Sequence, residues 1–342
     1  MKHRTFFWFI LPSAAAMILF IALPVVSVFI QSLHVEHEQV LRTVENCGPF
    51  GCVEETIVDR EATRALREEQ PLGRFAGFSN YLDRNHLAIA ELGSMWERSE
   101  GIADFTRRAM TLPFWRALAF TLTFTFVVTP FVLMLGLAIA LGVNSLPRAF
   151  RGPTIFVSLL PMIVTPLIGS LVLYWMVDSR GILGAFLQTI TNDPDLSLRA
   201  SPTLTWIMLI VYGVWSSAPF AFIVFYAGLQ TVPDEPLEAA MIDGANRWQR
   251  IRYVVIPHLM PLAIFITLMQ LMDNFRVFEP IVGFQAQASA TSLSFNIFNF
   301  LRGDAAQFGA AATTSMLTIF GVIVLLTPVL IRTWRDFNRK RS

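Results

Sequence analysis

The chain has 342 residues, of which 54% are hydrophobic and only 15% charged, with 30 phenylalanines and a mean hydropathy of +0.54. That composition excludes an ordinary soluble domain, and several runs of about 20 residues nearly free of charge mark a chain built to cross a bilayer. The net charge of +1 comes without a basic stripe, so nucleic acid is not an expected partner, and the lysines are Lys2 and Lys340 alone, which leaves no Gly-Lys-Ser/Thr loop to cradle a nucleotide.

The first apolar stretch, residues 6–31, is too long for the core of a removable signal peptide and no small-residue cleavage site comes after it, so it is expected to remain as a spanning helix. Residues 34–116 are hydrophilic and acid-rich. They predict an exposed subdomain between a first-helix region, 1–33, and a membrane core, 117–342. The run Cys47-Gly48-Pro49-Phe50-Gly51-Cys52 places both cysteines in that segment, where an oxidising compartment allows a disulfide; two unpaired thiols without a role are the alternative. Two thiols are too few for a zinc site, and no metal is expected. Residues 54–70 read as a surface helix with Val58, Ala62, Ala65 and Leu66 on one face and Glu61/Arg64 and Arg64/Glu68 pairs on the other.

Further spans are expected at residues 117–143, 154–177, 204–230, 259–282 and 308–331, six in all, which predicts an all-α membrane protein. Pro130, Pro161 and Pro166, with Gly136 and Gly169, predict bends of the kind helices make around a cavity. Between the fourth and fifth spans lies a polar loop, 231–258. Asp234 is the expected N-cap of a helix over residues 235–243, with Pro236 in its first turn and Gly244 in the left-handed conformation that ends it. Asn246 then starts a second helix carrying Arg247, Arg250 and Arg252, which Pro257 is expected to interrupt. Small Ala239, Ala240 and Ala245 would let another backbone approach this elbow. A connector resting on lipid, the other reading, would carry large apolar residues there.

Inside the spans an ionisable side chain is costly unless it is paired or wet. The segment from Gln270 to Pro280 nevertheless concentrates Asp273, Asn274, Arg276 and Glu279 in the outer half of the fifth span. These residues either line a translocation path or, as an Asp273–Arg276 pair, merely hold helices together. Basic residues set the orientation: Lys2 and Arg4, Arg148 and Arg151, Arg247, Arg250 and Arg252, and Arg332, Arg335, Arg339, Lys340 and Arg341 all fall on one side of a six-span topology, which is therefore the cytoplasm, with both termini there.

Glu238-Ala239-Ala240, then Gly244, then Val254 and the pair Ile256-Pro257, resemble the EAA signature of binding-protein-dependent ABC importer permeases, departing from its commonest form only in Val254 and Ile256. In that family the loop is a coupling helix that docks into a groove on the ATPase, so the resemblance assigns coupling to Glu238, Ala239, Ala240, Asp243, Gly244, Ala245 and Pro257. Phe75-Ala76-Gly77-Phe78-Ser79-Asn80-Tyr81 is similar to a stretch that maltose-type permeases carry before their second helix, and Phe275-Arg276-Val277-Phe278 with Glu279-Pro280 is similar to their fifth-helix segment. Gly283-Phe284-Gln285-Ala286 stands where that family has a Gly-Gly-Pro turn, while Thr291, Ser292 and Leu293 fit the family's pattern just beyond that turn.

The resemblance implies the type I ABC importer permease fold in a bacterial inner membrane. It also implies a second permease subunit, an ATPase dimer and a periplasmic solute-binding protein as partners. ATP and Mg²⁺ would sit in the ATPase, leaving this chain without a cofactor and without catalysis, and a single coupling loop makes the second permease a separate chain. The solute would be carbohydrate-like: a sugar, polyol or sugar phosphate. An ion-coupled secondary transporter using Asp273 or Glu279, and a membrane-embedded transferase with a catalytic acid at the surface, are the competing classes.

Overall fold

The computed structural model describes residues 3–37, 40–48, 51–193, 197, 201–302 and 306–339. Lys2, Lys340 and Arg341 lie outside the described residues, as do the side chains of Arg4, Arg339, Cys47 and Cys52. Among the described residues, six helical stretches are long and apolar enough to cross a membrane: Phe6–Ser32, Pro113–Ser145, Pro166–Thr191, Pro202–Leu229, Arg247–Phe275 and Phe308–Arg335. Three of them begin at a proline, whose missing N–H costs nothing in a first turn where that donor has no helical partner. Ser201 caps the fourth, its hydroxyl accepting from the Leu204 N–H at 3.2 Å.

Two spans differ from their sequence-predicted limits, and proline explains both. The run 154–177 is broken: one helix is Arg148–Ile163, residues 164–165 are extended, and a new helix starts at Pro166. Thr165, at ψ 143°, precedes Pro166, and the proline ring disfavours the helical region for its predecessor. The Tyr212 hydroxyl donates to the Pro166 carbonyl at 2.9 Å, which ties the first turn of the new helix to the fourth span. The fifth span ends at Phe275 rather than near 282, because a helix continuing through Pro280 would drive its ring into the Arg276 carbonyl; the chain turns instead and restarts as Glu279–Gly283.

Pro257, by contrast, does not stop its helix. A π turn, Ile251–Val255, widens the ladder just before it, with the Ile256 N–H donating to the Ile251 carbonyl, and the helix runs on to Phe275. The first span handles Pro24 in the same way, through a π turn at Ile18–Ala22 closed by Leu23 N–H on Ile18 O. In each case one aliphatic residue separates the π turn from the proline. The wider turn takes up the bond that proline cannot donate.

The chain divides into two compact units. The first comprises the residues up to Arg116 with Asn296–Ile319. Its outer part is an antiparallel hairpin, Leu41–Gly48 with Gly51–Val58, in the register Leu41↔Val58 to Gly48↔Gly51, which sets Cys47 opposite Cys52. Residues 54–58 are thus strand rather than helix, since the β-branched run Thr56-Ile57-Val58 suits a ladder. Asp59 then caps Arg60–Glu69, accepting from the Ala62 N–H at 3.0 Å, and Arg64 pairs with Glu68 at 3.0 Å on the solvated face.

The Phe75–Tyr81 motif serves as a clamp within this unit. Asn80, buried, donates to the Ser32 carbonyl at 3.2 Å and to the Thr313 hydroxyl at 2.9 Å, Thr313 in turn donates to Ser32 O at 3.1 Å, and the Ser32 and Tyr81 hydroxyls are 2.6 Å apart. The end of the first span is thereby tied to the start of the sixth. His86, also fully buried, meets the Ala310 carbonyl through Nε2 at 3.1 Å. Burial holds its pKa below the ordinary histidine value, against the opposing pull of that carbonyl.

The second unit comprises Ala117–Phe295 with the residues from Phe320 on, and its core includes Phe120, Phe124, Val128, Leu209, Phe222 and Ile266. Helices in lipid associate by close packing rather than by escaping water. Accordingly, a Cβ added to Gly136 would stand 2.6 Å from that of Ala221, so the second and fourth spans approach backbone to backbone.

Candidate functional site

Two features of the second unit carry the residues singled out by sequence. The first is the elbow. Its helix is Asp234–Ile242, capped at Pro233 rather than at Asp234, which occupies the first turn and bonds no free N–H there but favours the positive end of the helix dipole. The other end is a complete Schellman motif. Gly244 has φ +78°, its N–H donates to Met241 O at 3.1 Å, and the Ala245 N–H donates to Ala240 O at 2.9 Å. Asn246 and Gln249 then cap each other reciprocally, Gln249 N–H to Asn246 Oδ1 at 2.9 Å and Asn246 N–H to Gln249 Oε1 at 2.7 Å, which starts the fifth span one residue later. Two helix caps back to back therefore fix the bend.

Glu238 and Ala239 lie exposed on this elbow and Ala240 and Ala245 half-buried, while Leu237 packs inward on the core. Sequence reasoning missed the larger side chains beside them. Met241, Ile242, Trp248 and Tyr253 are 50%, 87%, 78% and 70% exposed, bulky apolar groups in a polar loop that a partner surface would cover and that a connector resting on lipid would also carry, so the small alanines alone do not separate the two readings.

The second feature is a cavity of about 500 Å³ lined by Phe124, Ser216, Ser217, Asp273, Arg276 and Glu279, with Asn274 and Pro280 also at its wall. Asp273 Oδ1 accepts from Arg276 Nη2 at 3.0 Å, and the two side chains are 55% and 57% exposed, so the pair borders open space rather than sitting sealed between helices. Asn274 behaves differently. It is buried, and its Nδ2 donates to Thr129 Oγ1 and Gln270 Oε1, both at 3.3 Å, tying the fifth span to the second. Ser216 and Ser217 were missed by sequence reasoning, although a polar pair ahead of Pro219 in an otherwise apolar span was a signal that could have found them, and their hydroxyls complete a lining able to exchange hydrogen bonds with a polar solute.

Residues 107–334 match the family model described as binding-protein-dependent transport system inner membrane component. The chain belongs to that family of multi-pass membrane transport subunits, which sets aside the ion-coupled transporter and the transferase. Among its relatives are the trehalose/maltose transport system permease protein MalF of Thermococcus litoralis, 28% identical over 240 residues (69% of this chain, 79% of that protein), and the inner membrane ABC transporter permease protein YcjO of Escherichia coli, 30% identical over 232 residues (66% and 78%). The trehalose transport system permease protein SugA of Mycobacterium tuberculosis is 28% identical over 256 residues (73% and 78%). Among solved structures, a bacterial ABC transporter involved in import of the acidic polysaccharide alginate shares the fold, with a TM-score of 0.58 at 21% identity, covering 82% of this chain and 96% of that one.

Proposed function

We propose that this permease moves a carbohydrate-like solute inward through the Asp273–Glu279 cavity by alternating access, driven by an ATPase dimer that grips the elbow. The observation that carries the reading is the elbow itself: a bend held by a Schellman motif and a capping box, yet presenting Met241, Ile242 and Trp248 to solvent. A rigid lever with an unsatisfied apolar face transmits motion from whatever covers it. Glu238, Ala239, Ala240, Asp243, Gly244, Ala245 and Pro257 form the coupling segment in this reading. Asp273, Arg276 and Glu279 line the path with Ser216 and Ser217, and Asn274 positions the wall.

The partners are a second permease chain, the two ATPase subunits that hold ATP and Mg²⁺, and an external solute-binding protein. In this reading the elbow and both termini face the cytoplasm of a bacterial cell and the hairpin with Cys47 and Cys52 lies outside, an orientation that the basic residues at the span ends support. The sugar assignment rests on the relatives named for trehalose and maltose and on a cavity wall of hydroxyl, amide and paired charge. The test is uptake of labelled maltose and trehalose into vesicles carrying the assembled complex with saturating binding protein. Uptake should require ATP and survive collapse of ion gradients. Uptake abolished by an ionophore with ATP still present would refute the mechanism, and ATP-driven transport of an amino acid but of no sugar would refute the solute class.

A further inference from the structure

A second, smaller cavity of about 230 Å³ lies where three spans stop together, behind the elbow. Its wall takes Asn144 and Ser145 from the end of the second span, Leu237 from the elbow helix, and Arg247, Arg250 and Val255 from the start of the fifth. No carboxylate lines it. The nearby Arg151 is committed to the last carbonyls of the second span, donating from Nε to Leu146 O at 2.8 Å and from Nη2 to Asn144 O at 3.0 Å. Arg247 and Arg250 have no ion pair among the described residues, and the Nε of Arg250 is buried with no hydrogen-bond partner. A buried guanidinium N–H left unmatched in a cavity with a second guanidinium and the Asn144 amide is a site for an oxyanion.

We propose that this cavity binds a phosphate group, held by Arg250 from within and Arg247 at the mouth. The ends of the apolar helices put it at the depth of the headgroups, where the membrane itself supplies anionic phosphodiesters, and basic pockets between spans are suited to them. The Asn144 amide adds a neutral donor, its Oδ1 being engaged by Gln230 Nε2 at 3.3 Å, while the Ser145 hydroxyl already donates to the Gly142 carbonyl at 2.7 Å. A lipid bound there would wedge the base of the elbow against the ends of the second and fourth spans.

The full chain, purified in neutral detergent, is mixed with vesicles of phosphatidylglycerol or of phosphatidylcholine, and retained lipid is counted by native mass spectrometry. In parallel, inorganic phosphate is titrated as a competitor. Each arginine near a membrane surface accounts for about fivefold in affinity, so Arg250→Gln is expected to lose about fivefold of phosphatidylglycerol retention and Arg247→Gln/Arg250→Gln about thirtyfold, while Arg332→Gln/Arg335→Gln retains it. Should the double variant fail to insert, Arg250→Gln alone decides. Phosphate binding that depends on the two arginines without phosphatidylglycerol retention would identify a free phosphate as the ligand. Equal retention in wild type and variants without arginine-dependent phosphate binding, or equal loss in the Arg332/Arg335 control, overturns the proposal. So does unchanged retention with loss of ATPase-subunit binding, which would make the arginines a protein contact.

Discussion

Gly244→Val isolates the backbone of the elbow from everything around it. The residue sits at φ +78°, and a Cβ built on it would meet nothing within 4 Å, so the substitution adds no clash with the rest of the molecule. What it adds is the cost of a left-handed conformation for an L-residue, about 1–2 kcal/mol and at the upper end for a β-branched side chain. At about 1.4 kcal/mol per decade, the native bend falls roughly five- to thirtyfold in population relative to bends that lose the Schellman bonds. That energy is small beside what holds six apolar spans in a membrane, so insertion and yield should not change. Solute-stimulated ATP hydrolysis by the reconstituted complex should fall by about an order of magnitude. Gly244→Asn is the control, because asparagine tolerates the left-handed region, and it should stay near wild type. Normal stimulation in Gly244→Val would refute the lever, and equal loss in both variants would point to the surface rather than to the backbone.

The Asp273–Arg276 pair is exposed to the cavity, so it contributes about 0–1 kcal/mol, and Asp273→Asn should leave the melting temperature within about 2 °C while lowering solute flux; unchanged flux in that variant and in Asp273→Asn/Arg276→Gln, measured in vesicles, would reduce both residues to scaffolding. The hairpin register sets Cys47 opposite Cys52, so the pair is expected to be oxidised, and thiol labelling should find two reactive cysteines only after reduction; the loop is short, and Cys47→Ser should cost less than the about 3 kcal/mol of a 15-residue loop. Burial depresses the pKa of His86, so the unfolded chain binds more protons than the native one as pH falls below about 6.5; stability should be level above that pH and decline beneath it, and His86→Gln should flatten melting curves compared between pH 7.5 and 5.5.

The spans were legible because a bilayer demands about 20 apolar residues at a time, and the elbow was legible because Gly244 and Asn246 each have one dominant use at a helix end. The break at residues 164–165 was harder to read, since hydropathy runs smoothly across it and only Pro166 marks it. Residues 54–58 read as helix for a related reason: Val58 falls in helical register with Ala62, Ala65 and Leu66 of the real helix at Arg60–Glu69, and the pairing partner that makes these residues strand lies in Leu41–Gly48. Asn274 and Asp273 are neighbours in sequence with opposite fates, one buried against Thr129 and the other open to the cavity, and only the packing of the second span against the fifth separates them. The exposure of Ile242 and Trp248 is likewise a property of the fold, because nothing in their spacing distinguishes a face turned inward from one turned out.

The most direct test of the account is the accessibility of the elbow with and without its partner. In a background with Cys47 and Cys52 replaced by serine, Ile242→Cys should react freely with a water-soluble maleimide in the isolated chain, since Ile242 is 87% exposed. Adding the ATPase dimer should suppress labelling at residue 242 and yield a zero-length or short crosslink to the ATPase, while a cysteine at Thr56 in the external hairpin stays reactive throughout. Undiminished labelling at residue 242 in a complex that hydrolyses ATP and transports solute would contradict the claim that this elbow is where the ATPase holds the permease.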